Sequence, residues 1–180
     1  MVSSLDGYIA RHDNSVSWFD TPDYYEKGLD APDLSEFAHS VDCYIMGAKT
    51  YQHAHELSAN YGWPYGDTPT VVITHRELPI NRSNISTYSG DLAKLIHEHL
   101  PAEYENIWIV GGPVITHEFI RLKLFNEIRI SILPILLGNG VPFFIPGSDQ
   151  QPLHVKDVKV YKNGLVDLCY ENKKMKNEQC

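Results

Sequence analysis

Three places in the chain set a glycine or a hydroxyl at the end of an apolar run, two of them with a cation close behind. Cys43-Tyr44-Ile45-Met46 ends at Gly47, followed by Ala48, Lys49 and Thr50. Thr70-Val71-Val72-Ile73 ends at Thr74-His75-Arg76. Ile107-Trp108-Ile109-Val110 ends at Gly111-Gly112, with Pro113, Val114, Ile115 and Thr116 next. Glycine admits a ligand close to the backbone, and a helix that starts there presents unpaired N–H groups with partial positive charge. Lys49, Thr50, His75 and Arg76 add ammonium, hydroxyl, imidazole and guanidinium groups suited to phosphate oxygens. A single junction of this kind is equally well a tight turn without a ligand. Three of them in an acidic chain point to one extended, multiply phosphorylated ligand across the carboxyl edge of a sheet.

Other reactive residues read more plainly. His53/His55 and His97/His99 stand two apart, so on a helix each pair points in different directions and makes a poor metal site. Cys43, Cys169 and Cys180 are too few and too scattered for a disulfide framework or a zinc site, which leaves a reduced, cytoplasmic setting as the expectation. No G-x-G-x-x-G, no G-x-x-x-x-G-K-[ST] and no G-x-S-x-G occurs. The nearest approach is Gly138-Asn139-Gly140, which leads into Val141-Pro142-Phe143-Phe144 and not into a helix.

The elements that must position these groups follow from periodicity. Fully apolar runs at 43–46, 70–74 and 107–110 suit strands covered on both faces, as in a parallel sheet with crossover helices. Helices are expected over Ala48–Glu56, after Asp91 with Leu92, Leu95, Ile96 and Leu100 on one face, and after Pro113. The last should bury Val114, Ile115, Phe119 and Leu122. A strand is expected at Glu127–Leu133. Val155–Tyr161 and Leu165–Tyr170 flank Lys162-Asn163-Gly164, a hairpin signal. Only Met1-Val2-Ser3 precede Ser4, so either the first strand is short or the sequence begins late within it. The fold class is α/β, three-layered, with a mainly parallel sheet ended by an antiparallel hairpin.

The 180 residues fit one domain, expected over residues 1–171, with 172–180 as a frayed tail. A net charge of -8 argues against duplex nucleic acid or an anionic membrane as a partner. No run approaches the roughly 20 apolar residues of a membrane span, and no secretory signal pattern opens the chain.

Taken in order, Ser4-Leu5-Asp6-Gly7-Tyr8-Ile9-Ala10, Ile45-Met46-Gly47-Ala48-Lys49-Thr50-Tyr51, Val72-Ile73-Thr74-His75-Arg76 and Trp108-Ile109-Val110-Gly111-Gly112-Pro113 resemble the dihydrofolate-reductase-like superfamily. Leu133-Pro134-Ile135-Leu136-Leu137-Gly138-Asn139-Gly140 and the S-L-D-G opening are more similar to the riboflavin-biosynthesis reductase domain and its stand-alone relatives. The resemblance covers roughly residues 3–170 and implies an NADPH-dependent reductase, of the 5-amino-6-(5-phosphoribosylamino)uracil reductase type, acting on a small heterocycle. By motif position Gly47, Lys49 and Thr50 would face the cofactor phosphates. Thr74, His75 and Arg76 would hold the 2′-phosphate and adenosine end. Gly111 and Gly112 would lie against pyrophosphate and nicotinamide, with Pro113, Val114, Ile115 and Thr116 at the helix start. Ala48 stands where the family carries an arginine for the 2′-phosphate, so NADH stays open as the cofactor. On the substrate side the resemblance implies Asp6, Trp18 and Gly138, with Asp6 or Asp33 as the catalytic carboxylate. Asp6 before Gly7 is also turn chemistry, Trp18 also suits a core, and Asp33 three residues before Glu36 is also a helix cap. The resemblance further implies a homodimer. The alternatives are a genuine dihydrofolate reductase and a non-catalytic nucleotide-binding or partner-binding module on the same fold.

Overall fold

A computed structural model of the chain describes residues 1–20, 24–30, 34–102, 104–147 and 149–172. The chain divides into two compact units, Asp33–Leu124 and a discontinuous one of Met1–Pro32 with Phe125–Cys180.

The continuous unit holds a four-stranded parallel sheet. Strands β3 (Cys43–Gly47), β4 (Thr70–Ile73), β5 (Ile85–Tyr88) and β6 (Ile107–Gly111) lie in the order β5-β4-β3-β6. Central strand β3 is buried at every position, as its unbroken apolar run requires. Its side chains alternate between two cores. Tyr44 and Met46 join Val41, Tyr51, Val72 and Ile85 on one face, and Cys43 and Ile45 join Val71, Leu95 and Phe119 on the other. Helices α1 (Leu34–His39) and α2 (Ala48–Tyr61) supply Phe37 and Tyr51 to the first core. Helices α3 (Leu92–Lys94, continued by a π-helical turn at Leu95–His99) and α4 (Pro113–Arg121) supply Leu92, Leu95, Ile115 and Phe119 to the second. That is the helix–sheet–helix sandwich expected from the sequence. The Asp91 carboxylate accepts from the Lys94 N–H at 2.9 Å and so caps α3 as anticipated.

Several expectations need correction here. Helix α2 runs on past Glu56 to Tyr61 and stops at Gly62, whose φ of +77° suits glycine. Val114, in the first turn of α4, is not buried but 67% exposed. Leu122, beyond the last turn of α4, is also exposed. Strand β5 was not anticipated, since Ile85-Ser86-Thr87-Tyr88 is a half-polar edge strand with no apolar run. In the loop after α2, Trp63 and Tyr65 pack on the core around Tyr44 and Tyr51, and Arg82 lies over the Trp63 ring.

In the discontinuous unit, β1 (Val2–Ser4) runs parallel to β7 (Glu127–Leu133), and β10 (Val166–Glu171) pairs antiparallel with β7 and with β9 (His154–Val160). The expected hairpin is present. Gly164 N–H donates to Tyr161 C=O and Gly164 takes φ +76°, so the three-residue loop 162–164 closes it. A two-stranded ladder of β2 (Tyr8–Ala10) and β8 (Val141–Pro142) was also unforeseen. Gly140 makes it possible, because a Cβ there would fall 2.3 Å from the Ala10 carbonyl oxygen. Among the described residues no helix is long and apolar enough to cross a membrane.

Candidate functional site

In the parallel sheet the chain passes from β3 outward to β4 and β5, then returns to β6 on the opposite side of β3. The carboxyl ends of β3 and β6 therefore flank the point where the strand order reverses, the place where open α/β sheets form a crevice. Gly47 and Gly111 sit at those two ends. Met46 is in register with Gly111, and Gly47 with Ile73, so Thr74 follows directly beside Gly47. A β-bulge between Ile45 and Met46 leaves Val110 unpaired and turns the end of β6.

Close packing holds this edge together. A Cβ on Gly47 would meet Ile115 Cγ1 at 3.0 Å, and one on Gly112 would meet Thr50 Oγ1 at 3.3 Å. Gly111 has φ +114°, which only glycine adopts easily, and the Gly111–Gly112 peptide is cis. Gly47 is the N-cap of α2 and Gly112 that of α4, and neither helix start has a side-chain cap or an acidic residue in its first turn. Two helix N-termini with uncapped N–H groups thus open beside one another. In the first turns of α4 the buried Thr116 Oγ1 has no hydrogen-bond partner.

The cations lie on the same edge. Lys49, His75 and Arg76 are exposed, and neither Lys49 nor Arg76 has a carboxylate partner among the described residues. Thr74 follows the end of β4. Its buried Oγ1 accepts from the Arg76 N–H at 3.0 Å and donates to the Arg76 C=O at 3.3 Å. Thr74 therefore fixes the turn that carries the Arg76 guanidinium. The structure brings Gly47, Lys49, Thr50, Thr74, His75, Arg76, Gly111, Gly112, Pro113, Ile115 and Thr116 to one edge of one sheet, with Val114 exposed beside them.

A second cluster belongs to the discontinuous unit. Ser4-Leu5-Asp6-Gly7 is a turn, closed by the Gly7 N–H donating to Ser4 C=O, with Gly7 at φ +84°. Asp6 is more than a turn former. Its Oδ1 accepts from the Ser4 hydroxyl at 2.6 Å and from the Leu137 N–H at 3.1 Å, and its Oδ2 from the Gly138 N–H at 2.7 Å. Asp6 and Gly138, named separately from the sequence, are thus bonded to each other. The Ser4 hydroxyl, helped by the two backbone donors, holds the Asp6 carboxyl below its ordinary value against a smaller opposing effect of burial. Asp6 is therefore an ionised acceptor at neutral pH. Ser4 was not singled out as a site residue, although its place two residues before Asp6 is the signal that would have found it.

Trp18 lies in a short 3-10 helix (Ser17–Phe19), is 4% exposed and has its ring edge-on to Phe19. Asp33 lies outside the described residues. His53, His55, His97 and His99 are all exposed.

A family model, RibD C-terminal domain, matches residues 1–166. YwjB of Bacillus subtilis (strain 168), an uncharacterized protein, is 30% identical over 159 residues, covering 88% of this chain and 87% of the relative. Among solved structures, a Shewanella sp. PV-4 protein whose name ties it provisionally to riboflavin biosynthesis is 26% identical, with TM-score 0.79 over 95% of both chains. The diaminohydroxyphosphoribosylaminopyrimidine deaminase/5-amino-6-(5-phosphoribosylamino)uracil reductase of Thermotoga maritima is 14% identical, with TM-score 0.65 over 95% of this chain and 54% of that one. At that identity the likeness is one of fold.

Proposed function

Because the chain belongs to the RibD C-terminal domain family, within the dihydrofolate-reductase-like superfamily, we propose that it is an oxidoreductase that reduces a small heterocycle with NADPH. The observation that carries the reading is the meeting of Gly47, Thr74 and Gly111 at the strand-order reversal, between two uncapped helix starts.

The residues present suit a dinucleotide. Gly111 and Gly112 leave backbone open where a pyrophosphate must come close, and the N–H groups of α2 and α4 face its charge. The hydroxyls of Thr50 and Thr116 and the ammonium of Lys49 add donors there. Arg76, on the turn that Thr74 fixes, supplies the guanidinium for a 2′-phosphate, a task that falls to it because Ala48 carries no charge. When bound, the nicotinamide supplies the hydride. The chain's own share is to bind the dinucleotide and fix the orientation of its reactive ring. On the substrate side Asp6 acts as an acceptor that orients the heterocycle, and the proton comes from elsewhere, since this carboxyl is held ionised. Candidate substrates are an aminouracil ribose adduct, a pterin or a related pyrimidine.

Thermal unfolding with and without cofactor tests the reading. At a hundredfold excess over Kd a ligand specific to the folded state adds about 2.7 kcal/mol of stability. NADPH should raise Tm accordingly, and NADH should raise it less. An unchanged Tm in millimolar NADPH and NADH would remove the proposal.

A further inference from the structure

Residues 74–84 carry the chain from the carboxyl end of β4 back to the start of β5, its parallel neighbour, and they form no helix. A crossover of this kind is usually helical and keeps its shape by its own hydrogen bonds. Here Glu77 and Pro79 are exposed, while Leu78 and Ile80 pack on the Tyr44/Met46 core, the alternation of an extended segment. Such apolar contacts are non-directional and press the segment onto the sheet without fixing its place along it. A directional contact comes from α2. Tyr51, 2% exposed, donates its hydroxyl to the Pro79 C=O at 2.8 Å. Its ring contacts those of His55 and Trp63, with centroids 5.9 Å away in each case, so the hydroxyl has a fixed origin. Pro79 gives it a stiff target, because the proline ring locks φ. Further on, the segment is held again where Arg82 lies over the Trp63 ring.

Arg76 stands three residues before Pro79, and Lys49 two residues before Tyr51. The Tyr51 hydrogen bond therefore joins the segment that carries one cation to the helix that carries the other. Thr74 fixes the near side of the Arg76 turn through the Arg76 backbone, and Tyr51 fixes the far side. A loop already held at both ends need not be ordered when a ligand arrives, so less of the binding free energy is lost to ordering it. We infer that Tyr51 is a positioning residue for cofactor choice: its hydroxyl, acting through Pro79, holds Arg76 ready for a 2′-phosphate and so favours NADPH over NADH. This rests on the reading that Arg76 meets that phosphate.

Tyr51→Phe keeps the ring and removes only the hydroxyl. NADPH affinity of the full chain, measured by fluorescence titration, should fall by about fivefold, the worth of one neutral hydrogen bond, with NADH affinity unchanged. In an Arg76→Ala background the same substitution should change neither affinity, because the residue it acts through is gone. Parallel losses for the two cofactors, or a further NADPH loss in the Arg76→Ala background, would reduce Tyr51 to a packing role and overturn the inference. An NADPH preference that Arg76→Ala abolishes and Tyr51→Phe leaves intact overturns it too, while sparing the reading of Arg76. A wild type that binds NADPH no better than NADH removes that reading and the inference together. NMR relaxation of the wild type decides the matter if Tyr51→Phe does not fold. Without ligand the Arg76 and Glu77 amides should be as rigid as those of β4, with order parameters of about 0.85. Amides that become ordered only on addition of adenosine 2′,5′-bisphosphate would show that nothing holds the turn in advance.

Discussion

Cys43 begins the central strand and is fully enclosed, so its chemistry is set by burial. Burial, with a smaller contribution from Asp42, pushes its thiol up to about 11. At pH 8 roughly one molecule in a thousand would carry the thiolate, which is the reactive form. Iodoacetamide should therefore leave the Cys43 peptide unmodified in native protein and label it in denaturant, as read by mass spectrometry. Glu127 at the start of β7 shows the opposite behaviour. Burial works to raise its carboxyl, but hydrogen bonds from Lys156 and Arg129 prevail and hold it at about 2. An acid depressed in the folded state stabilises fully above its ordinary value of 4.5, and that contribution fades as pH falls toward 2. Tm should thus drop across this window, and Glu127→Gln should flatten the drop while costing about 1 kcal/mol or less at neutral pH, as partly exposed ion pairs do. Asp6 marks the limit of reading residues singly. Its type and its glycine neighbour allow either a turn or a ligand contact, and the structure uses it for a turn and for anchoring Gly138 at once.

Elements were legible in the sequence wherever one physical demand dominated. β3, β4 and β6 announce themselves by their apolar runs, unbroken in β3 because it is buried at every position, and their glycine or threonine ends followed from that. β5 and the β2/β8 ladder stayed hidden. An edge strand tolerates Ser86 and Thr87, and a two-residue pairing leaves no period to detect. The cradle itself depended on strand order, which no local pattern encodes. Two substitutions test it at this scale. Gly111→Ala forces a Cβ onto φ +114° and should cost about 1–2 kcal/mol of stability. It should also abolish the NADPH-induced rise in Tm. Thr74→Val keeps the shape but removes the hydroxyl that bonds the Arg76 backbone. Losing that hydrogen bond should cost about 1 kcal/mol. If the turn serves to aim Arg76 at a 2′-phosphate, NADPH affinity should fall more than NADH affinity, measured by fluorescence titration. Equal losses for both cofactors would mean that the turn has no part in phosphate choice.

At the scale of the molecule, both apolar cores of the parallel sheet are drawn from one continuous stretch. Every residue of the Tyr44/Met46 core and of the Cys43/Ile45 core lies between Phe37 and Leu124. The three strand ends, both glycine-capped helices and the Arg76 turn lie in the same stretch. A layered sheet with a helix pair on each face and its own two cores meets the requirements of an autonomous folding unit. Residues 33–124 expressed alone should therefore unfold cooperatively on heating and in urea, with the near-ultraviolet signal of its packed tryptophans Trp63 and Trp108 intact. Cofactor specificity should survive in the fragment, because the groups that create it are all local. NADPH should still raise its Tm above that given by NADH, while reduction of any heterocycle should be absent, since the Asp6 turn belongs to the other unit. A fragment with helical far-ultraviolet signal but no sharp transition would show that the two cores do not suffice.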